Sequence, residues 1–555
     1  MMLTAAQRGI FSQRVMITPY RKSMLSINDI PLWWMGQEAG SALWMNAPGG
    51  KNPCQNCPMI DSLRADLAGW TRATIAQHLG ERALAALDRD VAVPASLACA
   101  DGGQIHQLTR LFWLGEGLGI KELQVALPTV FRDGEMPPEV AAYLVSRADS
   151  WFCRWQIVPV DVPSHLTTAA GGHIDADTVW IASSPGALQG ARHAEHFVMG
   201  VGGATRTLAA LAAYEPGRTV LDLGTGSGIH AILAALSGAR VVATDISESA
   251  LEMAHFNAEI NGVGGAIDFR IGSLFEPTPE RFDVVVSNPP FVITPAAARQ
   301  RVGRLDYRDA GLVSDQLSAQ VVRALAEHLT DTGRAWMLTN WEIADTARPY
   351  APVKTWAGTT LDLHLVMREQ LPVTAYIEMW LRDGGLTPAH PDYADSYRVW
   401  LEDFDARGVT HIGMGYLVAG RGDGVVLAQE LRGIAPANLH AYMERIWGGL
   451  RLTELAQMAP VATDVVEHRF FYPGADEPWI IKFTQTNGFG EEVQADTALA
   501  GFMSVADGEL TTAQIVCALA ELLSEDEDML MDNLIPKVAL LKQLGMLTFV
   551  EPVRE

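Results

Sequence analysis

The sequence predicts an α/β protein built on a doubly wound, mostly parallel sheet of seven strands, with a helical, winged-helix-like domain before it and an α+β region after it. Three observations predict this. Between residues 190 and 385, apolar strand-like runs alternate with stretches of helical period. A glycine-rich turn, Gly224-Thr225-Gly226-Ser227-Gly228, follows the first of those strands and opens a helix. On either side the pattern changes to short helices that end in strand-like segments.

At 555 residues the chain exceeds one ordinary domain. A hydrophobic content of 48% with 19% charged residues is that of a globular protein with real cores. No apolar run approaches the roughly 20 residues that cross a bilayer, so no membrane partner is expected. The formal charge of −24 argues against a broad, sequence-independent grip on nucleic acid, although a local basic cleft can survive within such a total. Five cysteines make no disulfide framework, and a reducing cytoplasm is the expected location. Arg8, Arg14, Arg21 and Lys22 precede the first acid, Asp29, but no secretory apolar segment follows them.

Residues 1–58, where Trp33, Trp34 and Trp44 lie among Gly, Pro and Asn, have no sustained period and are expected to form a poorly ordered extension. Met59 opens a helical pattern in which Leu63, Leu67, Trp70, Ile75 and Leu79 share a face, with further helices at 81–88 and 104–114. The strand-like Asp177–Ala182, followed by the turn Ser183–Gly186, completes a winged-helix-like domain over 59–189. The sheet domain, 190–385, has strands expected at Thr219–Leu223, Arg240–Thr244, Ala266–Ile271, Phe282–Ser287, Ala335–Thr339, Leu361–Met367 and Ala375–Leu381. From Pro388 the composition loosens into an α/β accessory region, 386–490. Helices at Thr512–Leu523 and Leu534–Leu544, then Met546–Val550, predict a second winged-helix-like module over 491–555.

The chemistry concentrates after the strands. Glycines let the backbone approach a ligand, and the following helix presents free N–H groups. A dinucleotide fingerprint needs a third glycine where Ile229 stands, and here it comes one residue early, at Gly228. Asp222, just before the turn, suits a ligand carrying an ammonium group better than a pyrophosphate. Asp245 ends the second strand 21 residues after Gly224, where an acid holds ribose hydroxyls, with Ile246 beside it. Ser273 and Leu274 follow the third strand, at the position from which adenine is contacted.

These residues, with Phe256–Gly262 and Val285-Val286-Ser287-Asn288-Pro289-Pro290-Phe291, resemble the class I methyltransferases of the small methyltransferase domain group. That group includes release-factor glutamine methyltransferases and ribosomal RNA base N-methyltransferases. The resemblance covers about 190–345 and implies a Rossmann-like methyltransferase sheet with S-adenosylmethionine as cofactor, bound by Asp222, Gly224, Thr225, Gly226, Gly228, Asp245, Ile246, Ser273, Leu274 and Asn288. More widely, over about 60–555, the chain is similar to uncharacterised actinobacterial multidomain methyltransferases. They share Gly200–Thr205, Tyr307-Arg308-Asp309 and Asn340-Trp341-Glu342.

An amide or exocyclic amine nitrogen is a poor nucleophile because its lone pair is delocalised. The Asn288 side-chain oxygen and the Pro289 carbonyl can each accept one N–H, which turns the lone pair toward the methyl carbon and stabilises developing positive charge. Pro289 and Pro290 stiffen the loop. Phe291 offers a flat face for stacking. The resemblance implies the same role for Asn288 and Pro289; a strand-ending turn is the bland alternative. The expected reaction is methyl transfer to a planar nitrogen of a protein glutamine or an RNA base. A natural-product or peptide tailoring enzyme is the alternative, and an inactive binding protein on the same fold is the non-enzymatic one.

Tyr307 and Arg308, with Arg301 and Arg304, form a locally basic stretch suited equally to substrate contact and to a solvated loop. Gly200–Thr205 reads equally as a gate over the cofactor and as a glycine-rich helix entry. Cys54-x-x-Cys57 has no second pair nearby, and the 14 histidines show no helical i, i+4 pair with a third ligand, so no metal is expected. Cys99, Cys153 and Cys517 read as ordinary thiols, and Glu525–Asp528 as a solvated helix junction.

Overall fold

The computed structural model describes residues 58–99, 102–132, 137, 140, 143–166, 177–189, 197–290, 292–295, 315–433 and 435–551. All of these fall within one compact unit, Cys54–Glu555. The extension expected before Pro58, with Cys54 and Cys57, lies outside the described residues.

The chain enters through six short helices: α1 (Pro58–Leu67), α2 (Arg72–Leu79), α3 (Glu81–Leu87), α4 (Val93–Ala98), α5 (Gln104–Leu108) and α6 (Ile120–Ala126). Leu63, Leu67, Trp70, Ile75 and Leu79 are all buried, as their spacing predicts. Thr71 starts α2 with a reciprocal capping box through Thr74. The expected helix at 104–114 holds, but its second half, Thr109–Trp113, winds with a wider turn. Two antiparallel pairs follow, β1 (Leu144–Arg147) with β2 (Ser150–Cys153), and β3 (Gln156–Asp161) with β4 (Thr178–Ser183). Every residue of β4 is buried, which marks it as covered on its far side too.

The central layer begins with α7 (Gly203–Leu211), β5 (Thr219–Leu223), α8 (Ile229–Leu236), β6 (Arg240–Asp245), α9 (Glu248–Ile260), β7 (Ile267–Ile271) and β8 (Phe282–Ser287). It continues through α10 (Gln316–His328), β9 (Leu329–Ile343), α11 (Ala351–Ala357), β10 (Leu361–Pro372), α12 (Val373–Asp383), α13 (Tyr393–Arg407), β11 (His411–Arg421) and β12 (Val426–Glu430). The strand order is β12-β10-β11-β9-β8-β5-β6-β7. β5 to β9 are mutually parallel, and β11 runs antiparallel to both β9 and β10. The chain winds outward from β5 to β7 and returns at β8. A topological switch point therefore opens beyond the C-terminal ends of β5 and β8, where such sheets bind ligands.

One expected strand is wrong. Ala375–Leu381 lies in α12, whose buried Val373, Tyr376, Ile377 and Leu381 recur at helical spacing rather than alternating. The antiparallel strand is β11, with β12 as an eighth, so the sheet crosses the boundary expected at 385. Glycines at 413 and 415 hide β11 in the sequence. They are needed because a Cβ at Gly413 would meet the Trp341 ring, and one at Gly415 the Val366 carbonyl.

The last region holds α14 (Leu439–Gly449), β13 (Ala459–Ala462), a three-stranded antiparallel sheet of β14 (Val465–Phe470), β15 (Ile480–Gln485) and β16 (Glu492–Ala495), then α15 (Thr497–Ser504), α16 (Thr512–Leu523), α17 (Glu527–Gln543) and β17 (Leu547–Val550). α16 has the expected bounds. α17 starts earlier than expected because Asp526 caps it, accepting the Met529 N–H at 3.1 Å. β17 pairs with β13, so the module expected over 491–555 takes its strand partner from outside that range. Among the described residues no helix is long and apolar enough to cross a membrane.

Candidate functional site

Beyond β5 the chain turns through Gly224, Gly226 and Gly228, all at positive φ (74°, 54° and 84°). Side chains would strain there. At Gly228 a Cβ would also sit 2.9 Å from the Ala254 Cβ on α9, so the turn can lie close on that helix only with glycine. The Gly224 and Thr225 amides both donate to the Thr244 carbonyl, at 2.9 and 2.8 Å, which ties the turn to β6. α8 starts at Ile229, so its N-terminal end faces the turn.

Two carboxylates hold this turn from inside. Asp222 is buried, and one of its oxygens accepts the Thr225 hydroxyl at 2.6 Å and the Ala231 N–H at 3.0 Å. Its backing is thus the turn and the first turn of α8. Burial pushes its pKa up to about 7, with Asp245 adding repulsion. Asp245, at the end of β6, accepts the Gly226 N–H and the Ser247 N–H, each at 2.9 Å. Burial raises it as well. His230, the second residue of α8, is pushed down to about 4 by burial, so it places no cation beneath the turn.

Beside Asp245 the surface becomes apolar. Ile246 is 72% exposed, and Ile271, the register partner of Asp245 on β7, is 50% exposed. Ser273 and Leu274 follow, both half-buried, with Leu274 at φ 50°.

At the end of β8, the Ser287 hydroxyl donates to the Leu223 carbonyl at 2.9 Å and locks this strand end to that of β5. Asn288 and Pro290 are half-buried and Pro289 is buried. The Asn288 Oδ1 is sealed from solvent with no hydrogen-bond partner among the described residues. An unsatisfied buried acceptor costs about 1–3 kcal/mol, so its persistence is a reason to look for a donor from outside the chain. Phe291 lies outside the described residues. Beyond it, Val292 and Ile293 are buried against α12 and α13, where the Tyr376 hydroxyl accepts the Ile293 N–H at 3.0 Å and an Asn340 Nδ2 hydrogen at 3.2 Å. Asn340 is thus a support for the segment after Asn-Pro-Pro-Phe.

Sequence reasoning missed what joins the front domain to this site. Asn257, fully buried on α9, accepts the Ala182 N–H at 2.7 Å through Oδ1. Its Nδ2 donates to the Ala182 carbonyl at 2.9 Å and to the Ser227 carbonyl at 2.8 Å. One turn on, Asn261 accepts the Trp180 N–H at 3.0 Å and donates to the Trp180 carbonyl at 2.8 Å. Two amides at i and i+4 therefore serve as a substitute strand for the free edge of β4. The repeat was visible as Phe256-Asn257-Ala258-Glu259-Ile260-Asn261, but its partner lies 75 residues away. Gly200, before α7, fits because a Cβ there would come 2.8 Å from the Ser183 hydroxyl. Val201 and Arg206 of the same stretch line a cavity of about 250 Å³ with Arg72 and Asp161.

The structure thus brings Asp222, Gly224, Thr225, Gly226, Gly228, Asp245, Ile246, Ser273, Leu274, Asn288, Pro289 and Pro290 to one end of the sheet, at the ends of β5, β6, β7 and β8. Tyr307, Arg308, Arg301 and Arg304 lie outside the described residues.

Comparison with known proteins finds similarity over parts of the chain. Residues 199–305 match the methyltransferase small domain, and residues 67–148 match a domain of unknown function (DUF7059). The chain is 43% identical over 90 residues to a release factor glutamine methyltransferase of Cereibacter sphaeroides, covering 16% of this chain and 32% of the relative. It is 46% identical over 92 residues to a ribosomal protein L11 methyltransferase of Pelotomaculum thermopropionicum, covering 16% of this chain and 30% of the relative. The chain therefore spans about a third of the length of these curated relatives. A ribosomal protein L11 methylase from Lactobacillus delbrueckii subsp. bulgaricus is a distant structural neighbour, with a TM-score of 0.21, 21% identity, and coverage of 37% of this chain and 70% of that one.

Proposed function

We propose that this chain is an S-adenosylmethionine-dependent methyltransferase that methylates a planar nitrogen of a protein. The observation that carries the reading is the buried Asn288 Oδ1, without a hydrogen-bond partner among the described residues, at the same sheet end as the glycine turn.

The residues present suit that cofactor. Asp245 offers a carboxylate to a ribose diol, and exposed Ile246 and Ile271 offer an apolar bed to a flat ring. The turn is backed by Asp222 and Asp245 and by a neutral His230, a field that favours a cationic ligand over a pyrophosphate. Such a ligand would draw Asp222 back toward its ionised form. The cofactor would supply an electrophilic methyl group on a sulfonium. Asn288 Oδ1 and the Pro289 carbonyl would accept the two N–H hydrogens of an amide or exocyclic amine. That orients the lone pair in line with the methyl and stabilises the positive charge as it develops.

A protein acceptor is favoured over RNA by the net charge of −24 and by the relatives, which are named for a release factor glutamine and for ribosomal protein L11. Incubating the full chain with tritiated S-adenosylmethionine and a host lysate tests this. Label in macromolecules should survive ribonuclease and be lost to protease. Label lost to ribonuclease would move the acceptor to RNA and overturn the protein reading.

A further inference from the structure

The region after the sheet carries an exposed aromatic tip that the site does not use. In β14 and β15 the register sets Phe470 opposite Ile480 and His468 opposite Lys482. Beyond Phe470 the hairpin exposes Phe471 (50%), Tyr472 (60%) and Trp479 (53%). The tip is built rather than loose. Tyr472-Pro473-Gly474-Ala475 closes with the Ala475 N–H donating to the Tyr472 carbonyl at 3.0 Å. Proline precedes a glycine at φ 81°, the pattern of a type II turn. The Trp479 N–H donates to the Phe470 carbonyl at 2.9 Å, and the Tyr472 and Trp479 rings stack at 5.1 Å and 26°. Large aromatic faces held in place and exposed to water are characteristic of a recognition surface.

Charge decides what they recognise. From Thr463 to Glu551 sixteen Asp and Glu stand against four Lys and Arg, a net charge of −12, half of the chain's total. Within the tip, Asp476 and Glu477 are exposed and make no ion pair among the described residues. Of the nearby cations, Arg469 pairs with Glu467, and Lys482 pairs with Glu492 at 3.1 Å. Such a surface repels phosphate backbones, anionic lipid and a second copy of itself, and attracts cationic side chains, which also stack on aromatic faces.

We propose that the β14–β15 tip docks a basic segment of a protein partner, with Tyr472 and Trp479 as anchors and Asp476 and Glu477 as counter-charges. Fluorescence anisotropy of the full chain, without cofactor, tests this with three fluorescein-labelled probes. These are a peptide of Arg, Lys, Leu and Ser, the same peptide with Glu for its cations, and an oligouridylate. The cationic peptide should bind, and Tyr472→Ser with Trp479→Ser should weaken it by about ten-fold or more. Melting temperature should hold, since both side chains are exposed; the Glu peptide and the oligouridylate should stay unbound. Three results would each overturn the proposal: no binding of the cationic peptide, equal binding by the double variant, or tighter binding of the oligouridylate. Because binding is read without methyl transfer, failure here leaves the catalytic reading untouched, and the reverse holds as well.

Discussion

Asn288→Ala is expected to cut the rate of methyl transfer by about 10²–10³, the usual cost of removing one donor or acceptor aimed at charge that develops in a transition state, about 3–4 kcal/mol. The fold should not suffer. Among the described residues Asn288 Oδ1 makes no hydrogen bond, so truncation removes an unsatisfied buried acceptor and breaks no bond to any of them. Melting temperature should therefore hold or rise, and S-adenosylmethionine should still bind. Single-turnover rates against the acceptor, with calorimetric cofactor affinity measured in parallel, separate the two. A variant that transfers methyl at the wild-type rate would remove Asn288 from catalysis. One that loses cofactor binding would make it a cofactor ligand instead.

Asn257→Leu is expected to be the most damaging single change to stability among the polar positions near the site. The volume is nearly kept, but three buried hydrogen bonds go, leaving the Ala182 N–H and carbonyl and the Ser227 carbonyl without their partner. At about 1–3 kcal/mol for each group left unsatisfied, the three together imply a loss of at least about 3 kcal/mol. Because Ser227 belongs to the glycine turn, cofactor affinity should fall together with the denaturation midpoint. Asn261 is half-buried and bonds Trp180 and the Asn257 carbonyl of its own helix but not the glycine turn, so Asn261→Leu should cost less and spare the cofactor. An unfolding free energy from denaturant titration within about 1 kcal/mol of wild type for Asn257→Leu would mean that the front domain is not held through these amides.

Local signals carried much of this from sequence. Thr219–Leu223 and Phe282–Ser287 are apolar runs bounded by turn residues, and both are strands with those bounds. Helix spacing in Leu63, Leu67, Trp70, Ile75 and Leu79 was legible for the same reason. Two kinds of feature were not. Where apolar density hides its period, as in Ala375–Leu381, a buried helix reads as a strand; where packing demands glycine, as at Gly413 and Gly415, a strand loses its pattern. Within the site, glycines and acids at strand ends were readable because backbone geometry fixes them. The roles of Asn257 and Tyr376 were not, because each depends on a partner distant in the chain, Ala182 for one and Ile293 for the other. Asp222 stood out by position, yet the structure turns one of its oxygens toward Thr225 and Ala231.

Calorimetric titration of the full chain with S-adenosylmethionine, beside Asp245→Ala, tests the central claim most directly. One site per chain is predicted for the wild type. Asp245→Ala should weaken it by at least about ten-fold, because the carboxylate that both braces Gly226 and faces the proposed ribose is gone. No heat of binding by the wild type, or an affinity unchanged in the variant, would contradict the account.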